Sequence, residues 1–206
     1  MGEASMWSHE SSSECAAEER DINYLFRVAL ALLPTLPYLL TVDVWRWKVY
    51  EGLYRPQDWN CEYWKLRQAY SGVVPTTYRS VNELDMLPTY QLAHTTTATR
   101  HYTALFMQFM ILESLCEAAG HKGPLHACDL YGSEAAGRKL AEAMRLGASR
   151  AWPEVLQGLT GADHITGEPL KRYFRPLTDW LTEDALTAGL GGGLGWGASW
   201  RLPDRM

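Results

Sequence analysis

Apolar positions recur at helical spacing along nearly the whole chain. Asp21 is the expected N-cap of a first helix running to Leu33, where Pro34 and Pro37 force a kink or a break. Thr41–Tyr50 (TVDVWRWKVY) continues as helix, because Asp43, Trp47 and Tyr50 fall on helical spacing. Pro56 sits at a first-turn position and opens a helix over Gln57–Tyr70, closed by Ser71-Gly72. Val73–Thr99 has no period, is rich in Thr and holds two Pro, so it reads as irregular with at most a short strand. Arg100–Ala119 is the most apolar segment. From Ala104 to Leu112 every face except Gln108 is hydrophobic, and Gly120 closes the helix. A helix apolar all round is expected to be buried on all sides. Ser133 caps a helix to Gly147, Trp152-Pro153 starts a short one, and Thr166 with Pro169 starts the last. There Leu170, Tyr173, Phe174, Leu177, Trp180 and Leu181 form one stripe. No internal repeat and no domain boundary stands out. The expected class is all-α, one domain or part of one.

The ends add a reading of compartment. Residues 1–20 form an acidic, Ser-rich leader, expected to be disordered, with no basic n-region or apolar h-region. Val28–Val42 is apolar but short of the roughly 20 residues a span needs, and it is broken by two prolines. It reads as a kinked, buried helix. Gly189–Gly197 holds six glycines in nine positions, and 201–206 is a polar tail without anchor or lipidation box. Neither a signal peptide nor a membrane anchor is expected, and these features alone describe a cytosolic chain.

Composition narrows the class. Of 206 residues, 47% are hydrophobic and 21% charged, which excludes a disordered chain. The net charge of −5 excludes a basic nucleic-acid binder. Nine Trp and eleven Tyr stand beside only four Phe. That density of amphipathic rings suits a helical protein with large buried side chains or a wide, wet cleft.

Candidate chemistry is sparse. Cys116 and Cys128 flank a Gly/Pro turn, CEAAGHKGPLHAC, and three readings are open. They form a disulfide, remain as buried thiols, or bind a metal together with His121 and His126, although the spacing matches no standard zinc pattern. No His-Glu-x-x-His occurs, and there is no Walker A motif, G-x-G-x-x-G, G-x-S-x-G or Cys-x-x-Cys. Glu113 and Glu117 read as exposed helix positions. Trp45-Arg46-Trp47 reads as aromatic core packing before it reads as a binding platform.

Several stretches together resemble the angiotensin-converting enzyme family of zinc peptidyl-dipeptidases. They are Asp21-Ile-Asn-Tyr-Leu, Trp45-Arg-Trp47, Glu62-Tyr-Trp-Lys-Leu-Arg67, Leu115 through Asp129, Ser133-Glu-Ala-Gly with one inserted Ala, Trp152-Pro153, Tyr173-Phe-x-Pro-Leu-x-x-Trp-Leu181 and Leu194-Gly-Trp196. The resemblance covers residues 21–200 as part of one peptidase domain, the C-terminal third of the family's catalytic domain. It implies a secreted or membrane-tethered, two-lobed, mostly helical ellipsoid around a deep channel, with zinc and chloride as cofactors and peptides as substrates. It also implies that Cys116 and Cys128 are bridged and that the chain is extracellular or at the cell surface. The family's zinc motif lies before the matched region, so no zinc ligand is expected in this chain.

Position by position, the implied peptide-handling residues are replaced. Gln91 stands where the family has a His that steadies the substrate backbone. His101 stands where it has the Tyr that donates to the oxyanion; losing one such donor costs about 3–4 kcal/mol. Thr89 and Ala98 stand at the Lys and Tyr that clamp the peptide's terminal carboxylate. The implied chloride ligands fare better. Arg100 matches one site, while Arg67 and Tyr63 match the Arg and Trp of another. Shifting Tyr102 onto the oxyanion position would need an insertion and would break the Arg100 match.

Three functions follow as expectations. The first is a non-catalytic member or fragment of the family. The second is an incomplete stretch of an active peptidyl-dipeptidase or metallocarboxypeptidase. The third is a non-catalytic cell-surface interaction protein. The expected partner is either the N-terminal part of the same domain or another cell-surface protein.

Overall fold

The computed structural model describes residues 7–87 and 96–187, with side chains from Glu19 onward. Thr89, Gln91, the glycine-rich run, Leu194-Gly-Trp196 and the polar tail lie outside the described residues. Among those described there is no strand, and the class is all-α. The described residues form, in order, α1 (Trp7–Leu32), α2 (Thr35–Tyr50), α3 (Trp59–Ser71), α4 (Thr99–Ala118), α5 (Glu134–Leu146), α6 (Trp152–Thr160) and α7 (Glu168–Thr187). Short 3₁₀ turns cover Pro56–Asp58 and Leu125–Ala127.

Most of the expected punctuation is present. Gly72 closes α3 with φ of 64°, a conformation that glycine adopts without a Cβ penalty. The Ser133 hydroxyl accepts from the Ala136 amide at 3.3 Å and caps α5. The first helix differs. Asp21 is not its N-cap but lies well inside α1, and the leader expected to be disordered is helical from Trp7. Ala16-Ala17-Glu18-Glu19-Arg20 is a run of strong helix formers, which outweighs the modest capping preference of one Asp. The break at Pro34 occurs as expected, and α2 resumes at Thr35.

The chain divides into two compact units, where the sequence had shown no boundary. The first is 1–30 with 106–191; the second is 31–105 with 192–206. Two of the three junctions fall inside helices, at the end of α1 and within α4, so no linker composition marks those two.

In the first unit Phe109, Tyr173 and Phe174 form a tilted aromatic trio with centroids 4.9–5.9 Å apart. Leu115, Ala136 and Leu159 make a second cluster from α4, α5 and α6. Ser114 ties the same three helices together. Its hydroxyl accepts from Lys139 at 2.5 Å and donates to the Leu159 carbonyl at 2.6 Å. The second unit packs Leu39, Val42, Trp45, Tyr63, Leu66, Met86 and Ala98. Trp45 meets Trp59 edge-on at 6.1 Å and donates to its carbonyl at 2.8 Å. Trp45 is therefore core packing, as expected, whereas Trp47 is 56% exposed and meets Tyr50 edge-on.

Two expectations about burial change. Of Ala104–Leu112 only Phe109 and Met110 are buried; the remaining faces of α4 are half-buried or exposed within this chain. The stretch Glu19–Tyr50 is long and apolar enough, by length and composition alone, to cross a membrane. In this structure its second half packs Leu39, Val42 and Trp45 into a core and holds a buried Asp43–Arg46 ion pair.

Candidate functional site

α3 carries the densest set of expected site residues. Tyr63 and Arg67 are four residues apart and so share one helix face. Tyr63 is buried, and its ring meets Trp64 edge-on at 5.4 Å. Arg67 is half-buried, with its guanidinium over the Tyr38 ring at 5.2 Å and Nη1 donating to Ser71 Oγ at 3.2 Å. The Arg67 Nε is buried and has no hydrogen-bond partner. A buried N–H without an acceptor costs about 1–3 kcal/mol. Burial pushes the Tyr63 phenol up, with Arg67 partly opposing, so the neutral hydroxyl remains a donor. A guanidinium with an unspent N–H beside a neutral phenol fits a small monovalent anion such as chloride.

The N-terminus of α4 is organised by a residue from α2. Thr99 donates through both its amide and its hydroxyl to Asp43 Oδ2. Arg46 pairs with Asp43 Oδ1 and also donates to the Thr96 carbonyl at 2.9 Å. Asp43 and Arg46 are both almost fully buried. Burial disfavours the Asp43 carboxylate, but the Thr99 hydroxyl and amide, the Ala98 amide and Arg46 outweigh it and hold the carboxyl below its usual range. The carboxylate also complements the positive end of the helix dipole. This fixes the segment from Thr96 to the first turn of α4.

The start of α4 carries two of the positions singled out from sequence, Ala98 and His101, and the candidate anion ligand Arg100. Ala98 is fully buried in the core of the second unit. Arg100 and His101 are both exposed, and Arg100 Nε lies 3.3 Å from His101 Nε2. An alanine supplies no donor to a carboxylate, and the imidazole is engaged by its neighbour. Tyr102 packs, partly buried, against the core of the second unit.

Asp85 is a second hub, half-buried. It accepts from Asn60 at 3.1 Å, from Trp64 at 2.7 Å and from Arg79, while Asn60 Oδ1 accepts the Asp85 amide at 3.1 Å. The hub clamps the irregular segment to α3, one turn from Arg67. Neither hub was singled out from sequence, since one Asp among many carries no motif. The signal at Asp43 is an acidic residue three positions before an arginine in a largely apolar helix.

Cys116 and Cys128 are bridged, with Cα atoms 6.1 Å apart, which settles the three open readings of that pair. The bridge consumes the thiols a metal would have used, and His121 Nε2 lies 3.0 Å from the Pro124 carbonyl. Among the described residues no group of three or more His, Cys, Asp or Glu gathers as a ligand set, so these residues do not fit zinc. Glu113 is not a free surface position. It makes a two-point pair with Arg172 of α7, at the edge of an open recess of about 520 Å³.

Comparison with known proteins supplies the remaining observation. A family model described as angiotensin-converting enzyme, peptidase M2, matches residues 9–196. The chain is 40% identical over 172 residues to the angiotensin-converting enzyme of Sus scrofa, covering 84% of this chain and 13% of that protein. It is 38% identical over 178 residues to the angiotensin-converting enzyme-like protein Ace3 of Mus musculus, covering 86% and 24%. It is 38% identical over 160 residues to the angiotensin-converting enzyme of Theromyzon tessulatum, covering 78% and 26%. The chain thus spans between an eighth and a quarter of the length of these relatives.

Proposed function

On the premise that this chain belongs to the angiotensin-converting enzyme family of peptidases, we propose that it is a non-catalytic part of such a domain that keeps an anion-binding corner. The observation carrying this reading is Ala98, a fully buried methyl where the family's carboxylate clamp needs a phenol. Thr89, Gln91 and His101 depart from the pattern in the same direction. Without the clamp, release of a dipeptide from a peptide's C-terminus has no recognition basis in these residues. Zinc chemistry, where it occurs in such a domain, would rest on ligands outside the described residues.

The retained function is anion binding at Arg67 and Tyr63, supported by the orphaned Nε–H. Arg100 is the weaker anion ligand because it lies exposed. A disulfide of this kind belongs to an oxidising compartment, which supports an extracellular or cell-surface location. The half-open faces of α4 support a partner that completes the domain, the upstream part of the same fold.

A second reading has its own support. Because the chain spans only 13–26% of its relatives, it can be a stretch of an active peptidyl-dipeptidase whose metal site lies elsewhere. The deciding measurement is dipeptide release from a C-terminally blocked tripeptide by the longest expressible product. The non-catalytic reading expects none; release abolished by a chelator overturns it. For the anion site, replacing gluconate by chloride at constant ionic strength should stabilise the chain by about 1.4 kcal/mol at ten times the dissociation constant. Arg67→Leu should lose that response, and a wild-type chain indifferent to chloride would defeat the assignment.

A further inference from the structure

We infer that the Arg67 corner is built for a planar oxyanion of the carboxylate type and takes it in preference to chloride, an inference that rests on the anion-binding reading above. The guanidinium is held in two ways. It lies over the Tyr38 ring at 5.2 Å, and its Nη1 donates to Ser71 Oγ at 3.2 Å. Among the described residues neither Nε nor Nη2 has an acceptor, and Nε is buried. In a guanidinium, Nε–H and one Nη–H point the same way and make a fork that matches the two oxygens of a carboxylate. With Nη1 spent on Ser71, that fork is the unfilled edge.

The chain itself shows what such an edge takes. Arg172 presents Nε and Nη2 to the two carboxylate oxygens of Glu113. Arg79 presents the same two atoms to the two oxygens of Asp85. Arg67 offers the same pair of donors, and among the described residues no carboxylate meets them. A sphere such as chloride meets both N–H groups of a parallel fork off their axes, and hydrogen bonds weaken as they bend. Two oxygens of one planar anion each take one N–H in line, and such bidentate, charge-assisted pairs are the strong ones. Tyr63, one turn earlier on α3, keeps its phenol neutral because burial pushes it up, so it brings no competing negative charge to the corner. Arg67 as a whole is only half-buried, which leaves the corner open to a small ion.

The test follows the Arg67 Nε–H resonance of the full chain during titration with sodium formate and, separately, sodium chloride. Ionic strength is held constant with gluconate, which is too bulky to reach a covered N–H. Formate should move the resonance downfield and reach half-saturation at about one tenth of the chloride concentration, the scale of one charge-assisted hydrogen bond. Arg67→Lys keeps the charge and loses the fork. Followed at the Ser71 amide, it should bring the two midpoints within about twofold of each other. Repeating the titration on the longest expressible product separates the sources of the anion. A resonance that formate still moves identifies a free ion; one already downfield and unmoved identifies a carboxylate side chain of the protein, and either outcome supports the inference. A chloride midpoint at or below that of formate overturns it and leaves anion binding standing. A resonance that neither ion moves in this chain overturns both.

Discussion

The two compact units are held by different physics. The first gathers apolar rings and aliphatic side chains from α4 to α7 and closes a loop covalently through Cys116–Cys128. The second holds charge inside: a buried Asp43 with Arg46 and Thr99, and a half-buried Asp85 with Asn60, Trp64 and Arg79. Apolar burial is non-directional and tolerates small shifts. A buried carboxylate holding several donors is directional, so it fixes backbone positions that apolar packing would leave loose. The directional unit is also the one bearing Arg67, Ala98 and His101. The positions that the family resemblance marks as candidate peptide and anion contacts therefore lie in the unit with the polar scaffolding.

The contrast breaks most easily at Asp43. Asp43→Ala leaves the Arg46 guanidinium buried without its carboxylate and uncaps α4, and should cost about 3–5 kcal/mol in urea unfolding. Amide protection should fall first around Thr96–Tyr102; a uniform loss across both units would mean that the hubs are not local. The disulfide is the corresponding weak point of the first unit. Cys116→Ser with Cys128→Ser should cost about 3 kcal/mol, read by the same urea titration, with the loss concentrated in α4 and the 3₁₀ turn. Trp64→Phe keeps the ring and removes one donor to the Asp85 carboxylate, and should cost about 1.5–3 kcal/mol. Its effect should appear in exchange of the Asp85 amide and leave the first unit unmoved.

The smallest effect is on pH dependence. The Asp43 carboxyl sits below its ordinary value near 3.8 when folded. Its contribution is therefore fully present above the unfolded value and is lost as pH falls through the folded one. Stability of the second unit should be flat from neutral pH to about 5 and decline only in stronger acid. Asp43→Asn should remove that acid limb, measured as the urea midpoint against pH.

Much of the helical framework was legible from sequence because helix punctuation is local. Pro34, Gly72, Ser133 and Pro153 act within a turn of themselves, and the structure uses each of them. Asp21 departs from its local capping preference because the helix formers just before it extend α1 to Trp7. The candidate site was legible only where residues lie on one helix. Tyr63 and Arg67 share a face by spacing alone, but the Tyr38 ring that covers Arg67 comes from a different helix.

The sequence by itself determined an all-helical chain, most of its breakpoints and its family. These follow from short-range backbone preference and from the residue types present. Only the tertiary structure decided that the chain divides within α1 and α4, that α4 is buried on part of its surface, and that Asp43 and Asp85 are hubs. It alone brought Asp21 to His126 across more than a hundred residues of chain. Those outcomes depend on which distant backbone groups a buried charge or ring meets, and nothing within a few residues of each position encodes that meeting.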